Sequence, residues 1–213
     1  MILNSLIDQP LLLLAWALAV VFVLTIHEFS HALASTLLGD QTARLSGRLT
    51  LNPMSHVSLL GFVMLLIVGF GWGKPVPFNP YNMKNQRVGT AIVAFAGPLS
   101  NLIMATIFGV LLKVLIVYQL VPPENLLFQF INLLVVINVI LAVFNLIPIP
   151  PLDGSKILFS IFADLKYAHY REFLEQRGPY LLLGLIILDN FFGLNILGRF
   201  FMVIINVVYS LIF

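Results

Sequence analysis

A long apolar run near the start of the chain limits the fold more than any other feature. It extends from Leu11 to Leu38, and its ionisable side chains are His27, Glu28 and His31. At ~1.5 Å per residue a helix of this length spans ~42 Å, which exceeds the ~30 Å of hydrocarbon in a bilayer. The run therefore predicts a membrane-spanning helix with three ionisable groups toward its C-terminal end.

The composition extends this interpretation to the whole chain. Of the 213 residues, 60% are hydrophobic and 9% are charged, whereas a soluble domain has about 25% charged residues. The net charge of +2 is too small to indicate a nucleic-acid partner. We predict an all-α polytopic membrane protein, with residues 1–213 forming a single membrane-embedded domain in the lipid bilayer.

Two further apolar runs predict the rest of a helical core over residues 11–161. Helices are expected over Val88–Val121 and Leu126–Leu146, and prolines break the chain after each of them. The C-terminal membrane segments, residues 180–213, form either two spans or a short hairpin and one span. Met1–Pro10 has no Lys or Arg, so we do not expect a cleavable signal peptide.

The region between the first two core spans predicts a small re-entrant/β element. Ala43–Leu51 partly alternates apolar and polar residues, which favours a short strand. Val57–Trp72 is apolar but short, and we expect it to enter the membrane and return to the same side with a free strand edge. Three prolines make Gly73–Asn82 an extended loop.

Basic residues predict the orientation in the cell membrane. Arg44 and Arg48 follow the first span, and cytoplasmic loops carry an excess of Lys and Arg. We therefore expect an external N-terminus, with His27 and His31 toward the cytoplasmic side. The charged segment Ser155–Gly178 should also be cytoplasmic and rich in helix.

His27, Glu28 and His31 form the sequence pattern H-E-x-x-H. Residues i and i+4 share one face of a helix, so both imidazoles can bind a single metal ion, and the glutamate is placed to act as general base. The chain has no cysteine, so a metal here would be held by His, Asp or Glu. Ionisable groups within a span are costly and are usually functional, which favours a zinc site.

A catalytic zinc site needs a third protein ligand. The position six residues after His31 is Leu37, and the next glutamate, Glu124, lies in a turn expected on the far side of the membrane. His56 and Asp153 remain as candidates. Asp153 is favoured because it follows a proline-broken helix end on the same side of the membrane as the histidines.

The two motifs together resemble the site-2 protease family of intramembrane zinc metalloproteases. That family pairs H-E-x-x-H with a later N-x-x-P-x-x-P-x-D-G type motif, which the segment Asn145–Gly154 matches. The resemblance implies that His27, His31 and Asp153 bind zinc, that Glu28 is the general base, and that Asn145 positions substrate or stabilises the oxyanion. It covers the chain from Leu11 to about Ile161.

Other segments are similar to a compact prokaryotic branch of that family, which has neither a PDZ nor a CBS domain. These segments are Gly47–Pro53 and Gly71–Pro77, and Gly97–Asn101 is similar to a motif of the family as a whole. Asn101 either packs against the helix with the two histidines or a substrate, or makes an interhelical hydrogen bond, and we favour the hydrogen bond. His56 corresponds to a histidine of that branch, but the aspartate and proline that usually follow it are missing here. It is therefore either a loop histidine bonded to backbone or an active-site residue that contacts substrate.

The sequence thus predicts an endopeptidase with one Zn²⁺ per chain that cuts in or near a transmembrane segment of a protein substrate. The substrate would unwind and pair with the strand edge of Val57–Trp72. The alternative is a metal-binding membrane protein without protease activity, either a transporter or a scaffold. Glu28 separates the two, because a transporter does not need a general base beside its first ligand.

Overall fold

The computed structural model describes residues 9–68 and 71–212, and this part of the chain contains eight α-helices. Their bounds are α1 Pro10–Leu37, α2 Thr42–Leu45, α3 Leu59–Val68, α4 Gln86–Val117, α5 Leu126–Asn145, α6 Asp153–Ile161, α7 Ala168–Phe191 and α8 Ile196–Ile212. Within the described residues, α1, α4 and α5 are long and apolar enough to cross a membrane. These helices confirm the predicted all-α, multi-pass membrane protein.

Helix α1 closely matches the predicted first span. Pro10 occupies its first turn, where the missing N–H costs nothing. Gly39 follows its end with φ +105°, a backbone conformation that glycine adopts without strain. The buried face of α1 includes the small residues Ala15, Ala19 and Ala32, and small side chains let membrane helices approach closely.

Helices α4 and α5 pack against α1 and against each other, and both match predicted spans. Asparagine side chains accept hydrogen bonds from backbone amides at their starts, Asn85 from Val88 N and Asn125 from Leu127 N, both as helix caps. Two buried clusters lie between these three helices, and their members are Leu112, Leu115, Ile131 and Val135, and Ala19, Val23 and Leu134. The bundle therefore closes through side chains that meet between the three spans.

The strand predicted over Ala43–Leu51 is wrong. Residues Thr42–Leu45 form the short helix α2, and turns follow it. Asp40 explains the difference, because its Oδ1 accepts hydrogen bonds from the backbone N–H (3.1 Å) and the hydroxyl (2.5 Å) of Thr42. Such a side-chain acceptor competes with strand pairing and starts a helical turn.

The segment Val57–Trp72 contains helix α3, so the strand edge predicted for it is also wrong over Leu59–Val68. A helix of 10 residues spans ~15 Å, about half the hydrocarbon thickness. An antiparallel bridge joins Val57 to Gly73, so the two ends of the segment lie side by side. Gly69 and Phe70 lie outside the described residues, and the re-entrant path stays a prediction.

The C-terminal part consists of α6, α7 and α8. Leu182 and Ile186 of α7 pack against Leu152, next to the start of α6. The Tyr209 hydroxyl of α8 donates a hydrogen bond to Asn132 Oδ1 of α5. These contacts attach both helices to the core, and the number of spans in residues 180–213 stays a prediction. The segment 1–8, which bears on the signal-peptide prediction, lies outside the described residues.

Candidate metal centre

Three ligand-type side chains from the two sequence motifs meet inside the bundle. His27 and His31 lie one turn apart on α1, and Asp153 is the first residue of α6. Asp153 Oδ2 lies 3.2 Å from His27 Nε2 and 3.0 Å from His31 Nε2, and the two Nε2 atoms are 3.1 Å apart. The three residues are 3%, 6% and 5% exposed. The predicted cluster of His27, His31 and Asp153 is therefore present as a buried group.

The hydrogen bonds of the two Nδ1 atoms bear on the protonation of the two Nε2 atoms, which face each other. His31 Nδ1 lies 2.7 Å from the carbonyl oxygen of Val93, and His27 Nδ1 lies 2.6 Å from Asn101 Oδ1. A carbonyl oxygen accepts hydrogen bonds and cannot donate them, so a neutral imidazole at either position would carry its proton on Nδ1 and leave a lone pair on Nε2. Two lone pairs and a carboxylate oxygen then face one another, an arrangement that fits a bound cation.

The donor set also fits zinc in particular. Zinc binds imidazole nitrogen and carboxylate oxygen, and its catalytic sites keep three protein ligands. Within the described residues, His27, His31 and Asp153 are the group with metal-ligand geometry, and their ligand atoms all lie within 4.8 Å of one another.

Both imidazole rings pack against one face of helix α4. Val93, Gly97 and Asn101 are spaced four residues apart, so they lie on one stripe of α4 that faces the histidines. A Cβ atom on Gly97 would lie 2.4 Å from His31 Nε2 and 2.7 Å from His27 Cε1. The rings therefore occupy the space that any side chain at this position would need.

Asp153 is held by its own helix and by a neighbouring cation. Its Oδ1 lies 3.3 Å from Lys156 Nζ, while Oδ2 faces the histidines. A Cβ atom on Gly154 would lie 2.3 Å from Leu146 O, so the start of α6 packs directly on the end of α5. Lys156 Nζ also lies 5.4 Å from the ring centre of Phe78, which belongs to the extended loop after α3.

That loop reaches Glu28. The backbone N–H of Val76 lies close enough to the half-buried Glu28 carboxylate to interact with it electrostatically. Glu28 is adjacent to His27 in sequence, and its electrostatic neighbours include Asp153 and Lys156. The structure thus places the loop, the glutamate and the three-residue cluster at one site.

Asp40 fixes one end of the loop. Its Oδ2 accepts from Asn79 N at 2.6 Å, and its Oδ1 accepts from Asn82 Nδ2 at 2.8 Å, in addition to the two bonds from Thr42. Burial by itself raises the pKa of the Asp40 carboxyl, but the bonds from Thr42, Asn82 and Asn79 outweigh it and leave the pKa below its ordinary value. Asp40 is therefore an ionised anchor at neutral pH.

Arg48 fixes the other end of the loop. Its guanidinium donates hydrogen bonds to the carbonyl oxygens of Ser55, Lys74 (3.3 Å) and Pro75 (3.4 Å). The backbone N–H of Lys74 donates to His56 O at 2.6 Å. The loop is thus tied to the segment before α3 at the point where the chain returns from that helix.

Two other predicted site residues have their hydrogen bonds away from the three ligands in the described part of the chain. The Asn145 amide donates to Leu141 O at 3.0 Å, within its own helix. His56 is fully buried and its Nε2 bonds Thr50 O at 2.7 Å, while its Nδ1 has no hydrogen-bond partner in the described part of the chain. Burial lowers the pKa of the His56 imidazole, so it is neutral at pH 7. Active-site roles for both residues stay predictions.

The chain is similar to known proteins along most of its length. A Bacillus subtilis protein named "Putative zinc metalloprotease YwhC" is 40% identical over 153 residues, which are 70% of each chain. This chain belongs to peptidase family M50. The model of that family matches residues 114–185, a region that includes Asn145 and Asp153. The expected site-2 protease relationship is confirmed, and the chain is a zinc metalloprotease of that type.

Relatives of lower identity come from mycobacteria and an archaeon. Proteins named "Putative zinc metalloprotease Rip2" are 36% identical in Mycolicibacterium smegmatis and 34% identical in Mycobacterium tuberculosis, over 62% and 63% of this chain. The chain spans about half the length of these two relatives. "Putative zinc metalloprotease MJ0611" of Methanocaldococcus jannaschii is 33% identical over 47% of this chain and 49% of its own. No solved structure matches the chain.

Sequence reasoning did not assign to the site three residues that surround the cluster. Asn138 on α5 bonds Asn101, Lys156 pairs with Asp153, and Gly97 supports both rings. Asn138 carried a signal, because it is an amide in an apolar span, seven residues before Asn145 on the same helix face. The positions of Lys156 and Gly97 depend on how α1, α4 and α6 pack, which a single sequence does not specify.

Proposed function

We propose that this chain is an intramembrane zinc endopeptidase that hydrolyses a peptide bond in or near a transmembrane segment of a membrane protein, in regulated intramembrane proteolysis. One observation supports this most: two imidazole Nε2 atoms and a carboxylate oxygen meet within 3.2 Å in the interior of a membrane bundle. Three acceptors gathered there would repel one another without a proton or a metal to share.

In this proposal His27, His31 and Asp153 hold one Zn²⁺ per chain. Bound zinc acts as a Lewis acid that activates water and polarises a carbonyl group. Asp153 is positioned to bind through Oδ2, since Oδ1 is paired with Lys156. Each histidine offers Nε2, since its Nδ1 is engaged by an oxygen of α4.

Glu28 is the proposed general base. It takes a proton from the attacking water and later delivers that proton to the leaving amine. The backbone N–H of Val76 lies close to this carboxylate and favours its charged form, in which it can accept the proton. Asn145 is proposed to steady the substrate or the developing oxyanion, for which an amide donor is suitable. On substrate binding, the Asn145 amide would release Leu141 O and donate a hydrogen bond to the substrate instead.

The substrate has to unwind before it can be cut. The scissile bond of a transmembrane helix is hydrogen-bonded within that helix, so cleavage requires a locally extended stretch. We propose that the active site opens toward the cytoplasmic side and that the N-terminus is external. The position of His27 in the C-terminal half of α1, and the two arginines that follow α1, support this orientation.

Glu28→Gln and Asp153→Ala test the assignment together. Purified full-length protein is analysed for zinc content and for cleavage of a tagged single-span reporter whose transmembrane helix contains a central Asn-Pro break. We expect Glu28→Gln to keep zinc and lose cleavage, and Asp153→Ala to lose both. Unchanged cleavage by Glu28→Gln would refute the mechanism, and full zinc occupancy in Asp153→Ala would refute the ligand set.

Two control substrates test the substrate class. One is the same reporter with leucines in place of Asn-Pro, and the other is a water-soluble peptide of the cleaved sequence. An intramembrane protease that needs an unwound span should cut the Asn-Pro reporter faster than either control. Equal cleavage of the soluble peptide would point instead to a membrane-anchored hydrolase of soluble substrates.

A further inference from the structure

A chain of buried amides leads from α5 to the first histidine of the cluster. His27 Nδ1 lies 2.6 Å from Asn101 Oδ1, Asn101 Nδ2 donates to Asn138 Oδ1 at 2.9 Å, and Asn138 Nδ2 donates to Leu134 O at 2.7 Å. Both asparagines are 0% exposed. The chain crosses from α5 to α4 to α1, so it connects all three spans.

The direction of every bond in this chain follows from its last member. Leu134 O is a backbone carbonyl and can only accept, so Asn138 must direct its NH₂ group toward it. Asn138 Oδ1 then faces Asn101 and must receive an NH₂ group from that residue. Asn101 is left with its oxygen toward His27, and His27 Nδ1 must be the donor.

We propose that Asn101, oriented by Asn138, is a positioning residue that fixes His27 in the tautomer with the proton on Nδ1 and Nε2 free to bind metal. The inference rests on the proposed role of His27 as a zinc ligand. The opposite tautomer would leave two acceptors, His27 Nδ1 and Asn101 Oδ1, facing each other at 2.6 Å. Reversing Asn101 to avoid this would place its oxygen against Asn138 Oδ1.

The arrangement does more than hold helices together. Ligating histidines usually donate their second N–H to an acceptor, and removing that acceptor typically costs 10- to 100-fold in metal affinity. His31 uses a backbone carbonyl for this purpose, which substitution cannot remove. His27 uses a side chain, so its orientation is open to test.

The test is the zinc affinity of full-length variants in detergent, measured by competition with a chelator. Asn101→Leu should weaken zinc binding by about 10- to 100-fold. Asn138→Leu should weaken it less, because Asn101 remains but its amide is free to turn. Asn132→Leu is the matched control. It removes an amide on α5, the helix of Asn138, that bonds Tyr209 of α8, and it should leave zinc affinity within about twofold of the wild type.

The double variant Asn101→Leu/Asn138→Leu shows whether the two amides act in series. If Asn138 acts through Asn101, the double variant should bind zinc as weakly as Asn101→Leu alone, because residues in one network are not additive. Additive losses, or an Asn101→Leu protein within twofold of the wild type, would overturn the inference. A wild-type protein that binds no zinc would instead refute the proposed function.

A measurement on the unsubstituted protein covers the case in which Asn101→Leu does not fold. The chain has four histidines, so nitrogen-15 NMR of the zinc-loaded, histidine-labelled protein is tractable. We expect a proton on Nδ1 of His27 that exchanges slowly with water. An unprotonated Nδ1, or metal bound through Nδ1, would overturn the inference.

Discussion

Replacing Gly97 by alanine is expected to disrupt the metal centre through a single added methyl group. The new Cβ atom would lie 2.4 Å from His31 Nε2, 2.6 Å from His31 Cε1 and 2.7 Å from His27 Cε1. Ordinary van der Waals contact for such an atom begins at 3.4 Å, so each ring would have to move by roughly 0.7–1 Å. Gly97→Ala therefore acts on both histidines at once.

A shift of this size exceeds what a zinc site tolerates. Metal–ligand distances are held within about ±0.2 Å, and a displacement of about 1 Å near a reacting centre can cost 10²-fold. Moving α4 away instead of the rings would break the bonds from the histidines to Val93 O and Asn101. We therefore expect zinc affinity and cleavage each to fall by about 100-fold or more.

Gly184→Ala is the matched control, since Gly184 lies within helix α7 and a Cβ there would have nothing within 4 Å. It should leave zinc binding unchanged and stabilise that helix by up to about 1 kcal/mol, because alanine is the better helix former. Zinc is measured by chelator competition, cleavage with the Asn-Pro reporter, and stability by thermal unfolding in detergent. Wild-type zinc affinity in Gly97→Ala would show that the rings of His27 and His31 do not pack against Gly97 of α4 as described.

Two further predictions concern the loop and the helix that flank the centre. Asp40→Asn should lower the free energy of unfolding by about 1–3 kcal/mol. The NH₂ group of the asparagine cannot accept the hydrogen bonds that a carboxylate oxygen of Asp40 accepts now, so donors would be left unpaired. Since the folded-state pKa of Asp40 is lowered, its stabilisation of the wild type is complete above the ordinary carboxyl pKa and is lost as the pH falls through the lowered folded-state value. Thermal unfolding against pH should show this acid loss in the wild type and less of it in Asp40→Asn, and parallel curves would contradict it. Gly61→Ala would bring a Cβ to 2.0 Å from Trp72 O and so separate α3 from the returning chain. We expect slower reporter cleavage at unchanged zinc content. Normal cleavage would show that α3 and the segment after it do not contribute to substrate access to the site.

The sequence was sufficient to predict the spans and the identity of the clustered residues. Long apolar runs have one stable solution in a bilayer, because a helix satisfies its own backbone. The i, i+4 spacing of His27 and His31 holds in any helix, whichever neighbours pack against it. Asp153 followed from the resemblance to a family and from the proline-broken helix end, and the structure brings it to the histidines.

The connections were harder to predict because their structure depends on long-range contacts. The alternating pattern of Ala43–Leu51 favoured a strand, but one carboxylate, Asp40, starts a helical turn there by binding Thr42. Val57–Trp72 was short and apolar, and such runs can be helix or strand when pattern is the sole guide. The role of Asn101 likewise depends on which helix lies opposite, which its own sequence neighbours do not indicate.

The clustered ligands also bear on how the chain keeps its shape. The chain has no cysteine, so it cannot form a disulfide. An ion held by His31 and Asp153 would nevertheless close a loop of about 120 residues, and the closure of long loops removes the most conformational entropy from an unfolded chain. The same ion would thus act as a reversible cross-link between the N-terminal helix and the C-terminal half of the protein. Metal supply would then govern the lifetime of the folded protein as well as its chemistry.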